Sequence, residues 1–288
     1  MCRLFGLHAG SQAVRATFWL LDAPDSLADQ SRREPDGAGI GSFDSDGKAH
    51  VAKQPLAAWE DHAFAREARV LKSTTFLAHV RYASTGAHTM VNTHPFEQDG
   101  RLFAHNGAFG ELERLNQRLA EYGVADLVKG QTDSERLFAL ITAESRRADG
   151  DVGEGITQAI SWIAKELPVF SLNVILTTAS DVWAVRYPDT HELHILERLP
   201  VRSEEAAPLD ARSSRIRAHS KDLARSGHAL IATEPMDDNP EWRALPGGAL
   251  VHINPDLAVT ISHPFPEAPA HPLTLSDLSP SAAASQKP

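Results

Sequence analysis

Met1-Cys2-Arg3-Leu4-Phe5-Gly6 opens the chain, and its second residue is the only cysteine among 288. Removal of the initiator Met would make Cys2 the N-terminal residue. A terminal cysteine combines a nucleophile with a base: the thiolate attacks, and its own α-amine, with an ordinary pKa of about 7.7 to 8.0, takes up the proton near neutral pH. The run Leu4, Phe5, Gly6, Leu7, His8, Ala9 reads as a strand, which would hold that terminus in a sheet. The other reading of a lone cysteine is a small buried hydrophobe without chemistry. The rest of the chain decides between the two.

A hydrophobic content of 42% supports a substantial core. One cysteine excludes an internal disulfide, the N-terminus lacks the basic and apolar regions of a signal peptide, and no apolar run approaches the roughly 20 residues of a membrane span. A cytoplasmic protein without a membrane partner is expected. A formal net charge of -10 argues against a nucleic-acid partner. The basic residues Arg212, Arg215, Arg217, His219, Lys221 and Arg225 read as a solvated face.

Residues 13–21 read as a short amphipathic helix broken at Pro24-Asp25-Ser26. The glycine-rich Asp36-Gly37-Ala38-Gly39-Ile40-Gly41-Ser42-Phe43 runs into a turn at Asp44-Ser45-Asp46-Gly47 and a strand over 49–53. That is a hairpin, whereas a dinucleotide fingerprint opens a helix. Its glycines would let backbone pack closely beside a site. A helix follows over 64–71, then strands over 74–80 and 101–105, the second ending at Asn106-Gly107. Helices are expected over 111–122, 134–147 and 155–167, the middle one capped by Thr132 or Asp133. Strands are expected at 169–178, 182–187, 193–196, 229–233, 249–253 and 257–262. From Pro264 onward a Pro, Ala and Ser bias predicts a disordered tail, 264–288, leaving 2–263 as one domain.

Five pieces line up in order: Cys2; Arg81-Tyr82-Ala83-Ser84-Thr85-Gly86; His94-Pro95-Phe96; His105-Asn106-Gly107; and Gln131-Thr132-Asp133-Ser134-Glu135. Together they resemble the glutaminase domain of class II glutamine amidotransferases, N-terminal nucleophile hydrolases. By motif the resemblance covers about residues 2–180, and Ala232-Thr233-Glu234-Pro235 with Leu245-Pro246-Gly247-Gly248 extend it to about 263. These point to a stand-alone amidohydrolase branch that includes enzymes cleaving γ-glutamyl amides of thiols. The resemblance implies an α+β fold, a four-layer αββα sandwich of two mainly antiparallel sheets. It also implies cleavage of glutamine or a γ-glutamyl amide through a γ-glutamyl thioester, with no cofactor.

The chemistry of the residues agrees. Attack on a side-chain amide creates an oxyanion, which the Asn106 side-chain N–H and the Gly107 backbone N–H can hold; the plain alternative is an Asn-Gly turn. By resemblance Arg81 takes the substrate carboxylate and Asp133 its ammonium, against the plainer readings of a surface ion pair and a helix cap. A guanidinium fork suits a carboxylate. Ser84 stands where the family commonly has Thr, and Tyr82 where several members have Trp, so pocket polarity differs from the common pattern. His94 is implied to brace the loop over the site. The spacings of His79, His88, His94 and His105 match no metal motif, and His79 and His105 read as core residues with satisfied hydrogen bonds. The partner expected is a small γ-glutamyl molecule, with oligomeric state open. Two rival readings remain: a glutaminase subunit feeding ammonia to a separate synthase, and a catalytically silent γ-glutamyl-binding module. After residue 263 too few apolar residues remain to build a synthase domain.

Overall fold

Strands dominate both ends of the chain. In order they are β1 (Arg3–His8), β2 (Gly37–Phe43), β3 (Ala49–Gln54), β4 (Thr75–Arg81), β5 (Phe96–Gln98), β6 (Arg101–Phe109), β7 (Pro168–Thr177) and β8 (Val182–Arg186). Then come β9 (His194–Arg198), β10 (Leu209–Arg212), β11 (Arg217–Ser220), β12 (His228–Ala232), β13 (Arg243–Ala244), β14 (Ala249–Ile253), β15 (Val259–Ser262) and β16 (His271–Pro272). The computed structural model describes residues 2–33, 36–82, 87–198, 209–212, 217–220, 223 and 226–286. One seven-stranded sheet has the order β13-β9-β12-β1-β4-β2-β3, and a second runs β15-β14-β8-β7-β6-β5 with β16 beside β7. Apart from the parallel β16–β7 pair, the pairings along both sheets are antiparallel.

Side chains alternate across a strand, so each sheet offers one face to its partner sheet and one to helices. Leu4, Leu77, Leu102, Ala104, Ile175, Ile231 and Val251 meet between the sheets. Their neighbours Phe5, Leu7, Phe76, Ala78 and Val80 face outward, where they pack with Trp19 of the π-helical turn Phe18–Asp22, Leu27 of α1 (Leu27–Gln30) and Phe64 of α2 (His62–Val70). On the far side, Phe103, Val174 and Leu176 pack with residues of α3 (Leu112–Glu121), α4 (Asp133–Arg147) and α5 (Val152–Glu166). The result is the expected αββα sandwich. Full burial of one such Leu or Phe contributes about 1.5–3 kcal/mol, so the three clusters supply most of the driving force.

Three expectations differ from the structure. Helix over 13–21 is reduced to Phe18–Asp22, because Val14 is bridged to Ser73 by reciprocal backbone bonds of 3.0 and 3.1 Å. Asn106 and Gly107 do not end their strand: β6 continues to Phe109, its ladder carried by β7. The Pro-, Ala- and Ser-biased stretch, expected to be disordered, instead takes a defined path. The Ala270 and Leu273 amides donate to Ala164 and Val169 carbonyls at 2.8 Å each, β16 joins β7, and α6 (Pro280–Ser285) follows, capped by Ser279. Backbone hydrogen bonds, which composition does not reveal, hold it. The basic side chains from Arg212 to Arg225 lie outside the described residues.

Candidate active site

The alternation that builds the core also builds the site. On β4 the inward series Leu77, His79, Arg81 reaches the strand's end; on β6 the series Leu102, Ala104 continues to Asn106. On β1 it runs back through Gly6 and Leu4 to Cys2. Three strands from two sheets thus deliver a thiol, a guanidinium and a carboxamide to one end of the interlayer space. Asn106 lies directly across the ladder from Asn173 of β7, whose carboxamide holds the carbonyls of His191 and Glu192 at 3.1 and 3.2 Å. A polar residue in the otherwise apolar run Leu172-Asn173-Val174-Ile175 was the available signal for Asn173, which sequence reasoning missed.

Cys2 is buried, and its Sγ accepts the Tyr82 backbone N–H at 3.2 Å while lying 3.3 Å from the Tyr82 carbonyl. Arg81, next in the chain, is also buried. Burial lowers its pKa, opposed by the negative charges of Cys2, Asp36 and Asp133. Its Nη1 donates to the Ala87 carbonyl at 3.4 Å. Asp133 opens α4 behind the cap Thr132, whose hydroxyl accepts the Glu135 N–H at 3.2 Å. There the positive end of the helix dipole favours a carboxylate. The Asp133 side chain is buried and accepts the Ser134 N–H at 2.9 Å.

The segment from Ala87 to Pro95 covers this end. Gln131, just before α4, accepts from the Ala87 N–H at 3.1 Å and donates its own backbone N–H to Asn92 Oδ1 at 2.8 Å. Lys53 of β3 reaches under the segment, donating from Nζ to the Thr93 and Pro95 carbonyls at 2.6 and 3.1 Å. Burial pushes that ammonium down to about 8. The His94–Pro95 peptide is cis, and a Cβ on Gly39 would come within 2.2 Å of the His94 carbonyl oxygen. The glycine-rich hairpin therefore does admit a close backbone approach beside the site. Ser84 lies outside the described residues.

His94 is buried, its ring 4.1 Å from that of His79 and 4.5 Å from Phe96. Its ring contacts are packing against β4 and Phe96. His105 matches its expectation, with Nδ1 2.9 Å from Ser134 Oγ and Nε2 3.3 Å from the Ser171 carbonyl. His79 does not: neither ring nitrogen meets a partner of good geometry among the described residues, although the His105 backbone lies near it. Burial, then Arg81 and His105, push His79 down to about 3, and burial and His79 lower His94 well below the ordinary value. A Cβ on Gly107 would strike the Ser171 carbonyl oxygen at 2.0 Å, so this position on β6 requires glycine. Among the described residues no group of three or more His, Cys, Asp or Glu side chains could hold a metal ion. No described helix is long and apolar enough to cross a membrane.

The chain is similar to several known proteins. The chain is 27% identical to the γ-glutamyl-hercynylcysteine sulfoxide hydrolase of Mycobacterium tuberculosis, across 88% of this chain and 93% of that one. It is 26% identical to the Saccharomyces cerevisiae protein named "Probable glutamine amidotransferase DUG3", across 88% and 82% respectively. A glutamine aminotransferase class-II domain protein of Silicibacter pomeroyi superposes with a TM-score of 0.61 at 20% identity, covering 91% of this chain and 99% of that one, which speaks for the fold. The model of the family "Glutamine amidotransferases class-II" matches residues 1–272, nearly the whole chain, and with the sandwich already described this places the protein in that family of amidohydrolases acting on carbon–nitrogen bonds other than peptide bonds.

Proposed function

We propose that the protein hydrolyses the side-chain amide of glutamine or a γ-glutamyl amide, with Cys2 as nucleophile. The observation that carries the reading is the convergence of Cys2, Arg81 and Asn106 on one end of the interlayer space, with Asp133 close enough to act on the Arg81 charge. In this mechanism Met1 is removed and the freed α-amine accepts the thiol proton. The Sγ–C bond forms as the carbonyl becomes an oxyanion held by Asn106 Nδ2 and the Gly107 N–H. The C–N bond then breaks, the leaving nitrogen taking the proton from the α-ammonium. Water attacks the γ-glutamyl thioester, the C–S bond breaks, and glutamate leaves with the thiol restored. Arg81 holds the substrate α-carboxylate and Asp133 its α-ammonium. His94 holds the covering loop. No metal, nucleotide or other cofactor enters, and a reducing cytoplasm suits the free thiol.

Two named relatives support the substrate class: one is a γ-glutamyl hydrolase and the other a glutamine amidotransferase by name. The test is glutamate release from a panel of γ-glutamyl amides, using protein shown by intact mass to lack Met1, with and without ATP. Release without ATP is expected. A processed protein inert toward the whole panel until a partner is added would make it a glutaminase subunit; persistent inertness with measurable glutamate binding would make it a silent module. A Met1-retaining sample should be inactive, because its Cys2 nitrogen is an amide without a basic lone pair.

A further inference from the structure

The segment beyond residue 263 does more than cover the sandwich: it brings a glutamine side chain to Gly107. Gly107 lies opposite Leu172 in the β6–β7 ladder, and the Leu172 N–H donates the other way, to the Tyr187 carbonyl at 2.6 Å. In an antiparallel ladder the N–H and C=O of one residue point to the same side. Both peptide groups of Gly107 therefore turn away from β7, toward an edge that β5, whose pairing ends at Phe96 with Phe103, does not reach. The amide proposed to hold the oxyanion and the Gly107 carbonyl share that edge.

Gln286 docks there. Its Nε2 lies 3.5 Å from the Gly107 carbonyl, at the long limit for a hydrogen bond, and 3.2 Å from Ser285 Oγ. Its Oε1 is 2.8 Å from His191 Nε2. An amide oxygen can only accept, so His191 donates from Nε2. Gln286 is 2% exposed and His191 4%, the histidine ring packed edge-on to Phe170 at 5.4 Å. Burial lowers the His191 pKa, the Gln286 hydrogen bond opposes that, and the charges of Arg3 and His105, the chain neighbours of Cys2 and Asn106, add to the lowering. The Gln286 contact with Gly107 sets the cluster beside the amide proposed to hold the oxyanion. Nothing in the proposed γ-glutamyl contacts uses either residue.

We propose that Gln286 and His191 form the wall of the leaving-amine subsite, with Gln286 delivered by the C-terminal segment acting as a strap, and that they set how bulky a leaving amine the site admits. This rests on the hydrolase reading above. A scissile oxygen on the Gly107 N–H places the departing nitrogen along the same edge, toward the carbonyl that Gln286 engages. A small leaving group fits beside the docked carboxamide, whereas a large one must displace the strap from two neutral hydrogen-bond partners.

The test uses the full-length chain and Gln286→Ala and Gln286→Trp variants, each checked by thermal melting. Alkylation of Cys2, the only cysteine, is followed by intact mass with iodoacetamide as the small probe and N-(1-pyrenyl)maleimide as the bulky one. In parallel, kcat/KM is measured for glutamine and for γ-glutamyl-p-nitroanilide. Gln286→Ala should raise both bulky-to-small ratios by about fivefold to thirtyfold, the population shift given by losing one or two such contacts. Gln286→Trp should lower both. Ratios equal to those of the native chain in both variants overturn the inference, even where glutamine is hydrolysed normally. Shifted alkylation ratios in a protein that hydrolyses neither amide uphold the strap and refute the hydrolase reading.

Discussion

Replacing His79 by Leu should flatten the acid side of the stability curve. The His79 ring is fully buried, its centroid 4.1 Å from that of His94, and held near a pKa of 3 against an ordinary 6.5. For a base whose native pKa is lowered, the unfolded chain binds a proton that the native state refuses. The stability associated with neutral His79 is therefore complete above 6.5 and lost progressively as pH falls from 6.5 toward 3. Each pH unit in that window corresponds to about 1.36 kcal/mol per proton. The loss from His79 alone then reaches about 2 kcal/mol near pH 5 and about 5 kcal/mol near pH 3. Leucine takes up no proton and leaves no ring nitrogen unsatisfied, so at neutral pH the shape change should cost less than about 1.5 kcal/mol. Urea denaturation of both proteins near pH 7.5 and near pH 5, extrapolated to water, gives the comparison. The variant should lose about 2 kcal/mol less over that interval, while His94, His105 and His228 still impose an acid loss on both. Parallel losses would refute the reasoning, since His79 would then be protonated or solvated in the native state.

Cys2→Ala should abolish hydrolysis while preserving the fold, because the change removes only one buried sulfur, which is the proposed nucleophile; residual turnover near the native rate would end the thioester mechanism. Asn106→Ala should lower kcat by about 10²- to 10³-fold with little change in KM, while Arg81→Lys should act mainly through KM, since a point charge replaces a fork. The same kinetic pattern in both would show the roles to be misassigned. Gly39→Ala should lower stability by about 1–3 kcal/mol and slow turnover, because its Cβ would lie 2.2 Å from the His94 carbonyl oxygen. Thermal melting and steady-state rates would show either both effects or, if the loop relaxes without cost, neither.

The strand carrying Cys2, the helices from Leu112 to Glu166 and the hairpin of glycines were legible because hydrophobic period and turn residues act locally. Asn106-Gly107 misled as a boundary because a dipeptide common in turns was overridden by a distant partner strand, Asn173 and Leu172 of β7 pairing with it. Asn173 was readable as a polar interruption in an apolar strand. His191 and Gln286 were not, because their pairing joins positions 95 apart through a segment whose composition says only that it makes no core of its own. The acid-shy character of His79 was equally hidden: sequence shows a histidine in a strand, and only packing removes its solvent.

The position of β1 inside its sheet has a consequence for biosynthesis. Its two neighbours are β4 and β12, and the second of these ends at Ala232. A ribosome making the chain from its N-terminus releases β1 with one flank unclaimed until that late point. Through most of translation the first residues are thus not yet sealed between partners, and an aminopeptidase can trim Met1 before the sandwich closes over the new α-amine. On the proposed mechanism, this order of folding would put removal of Met1 ahead of the burial of Cys2.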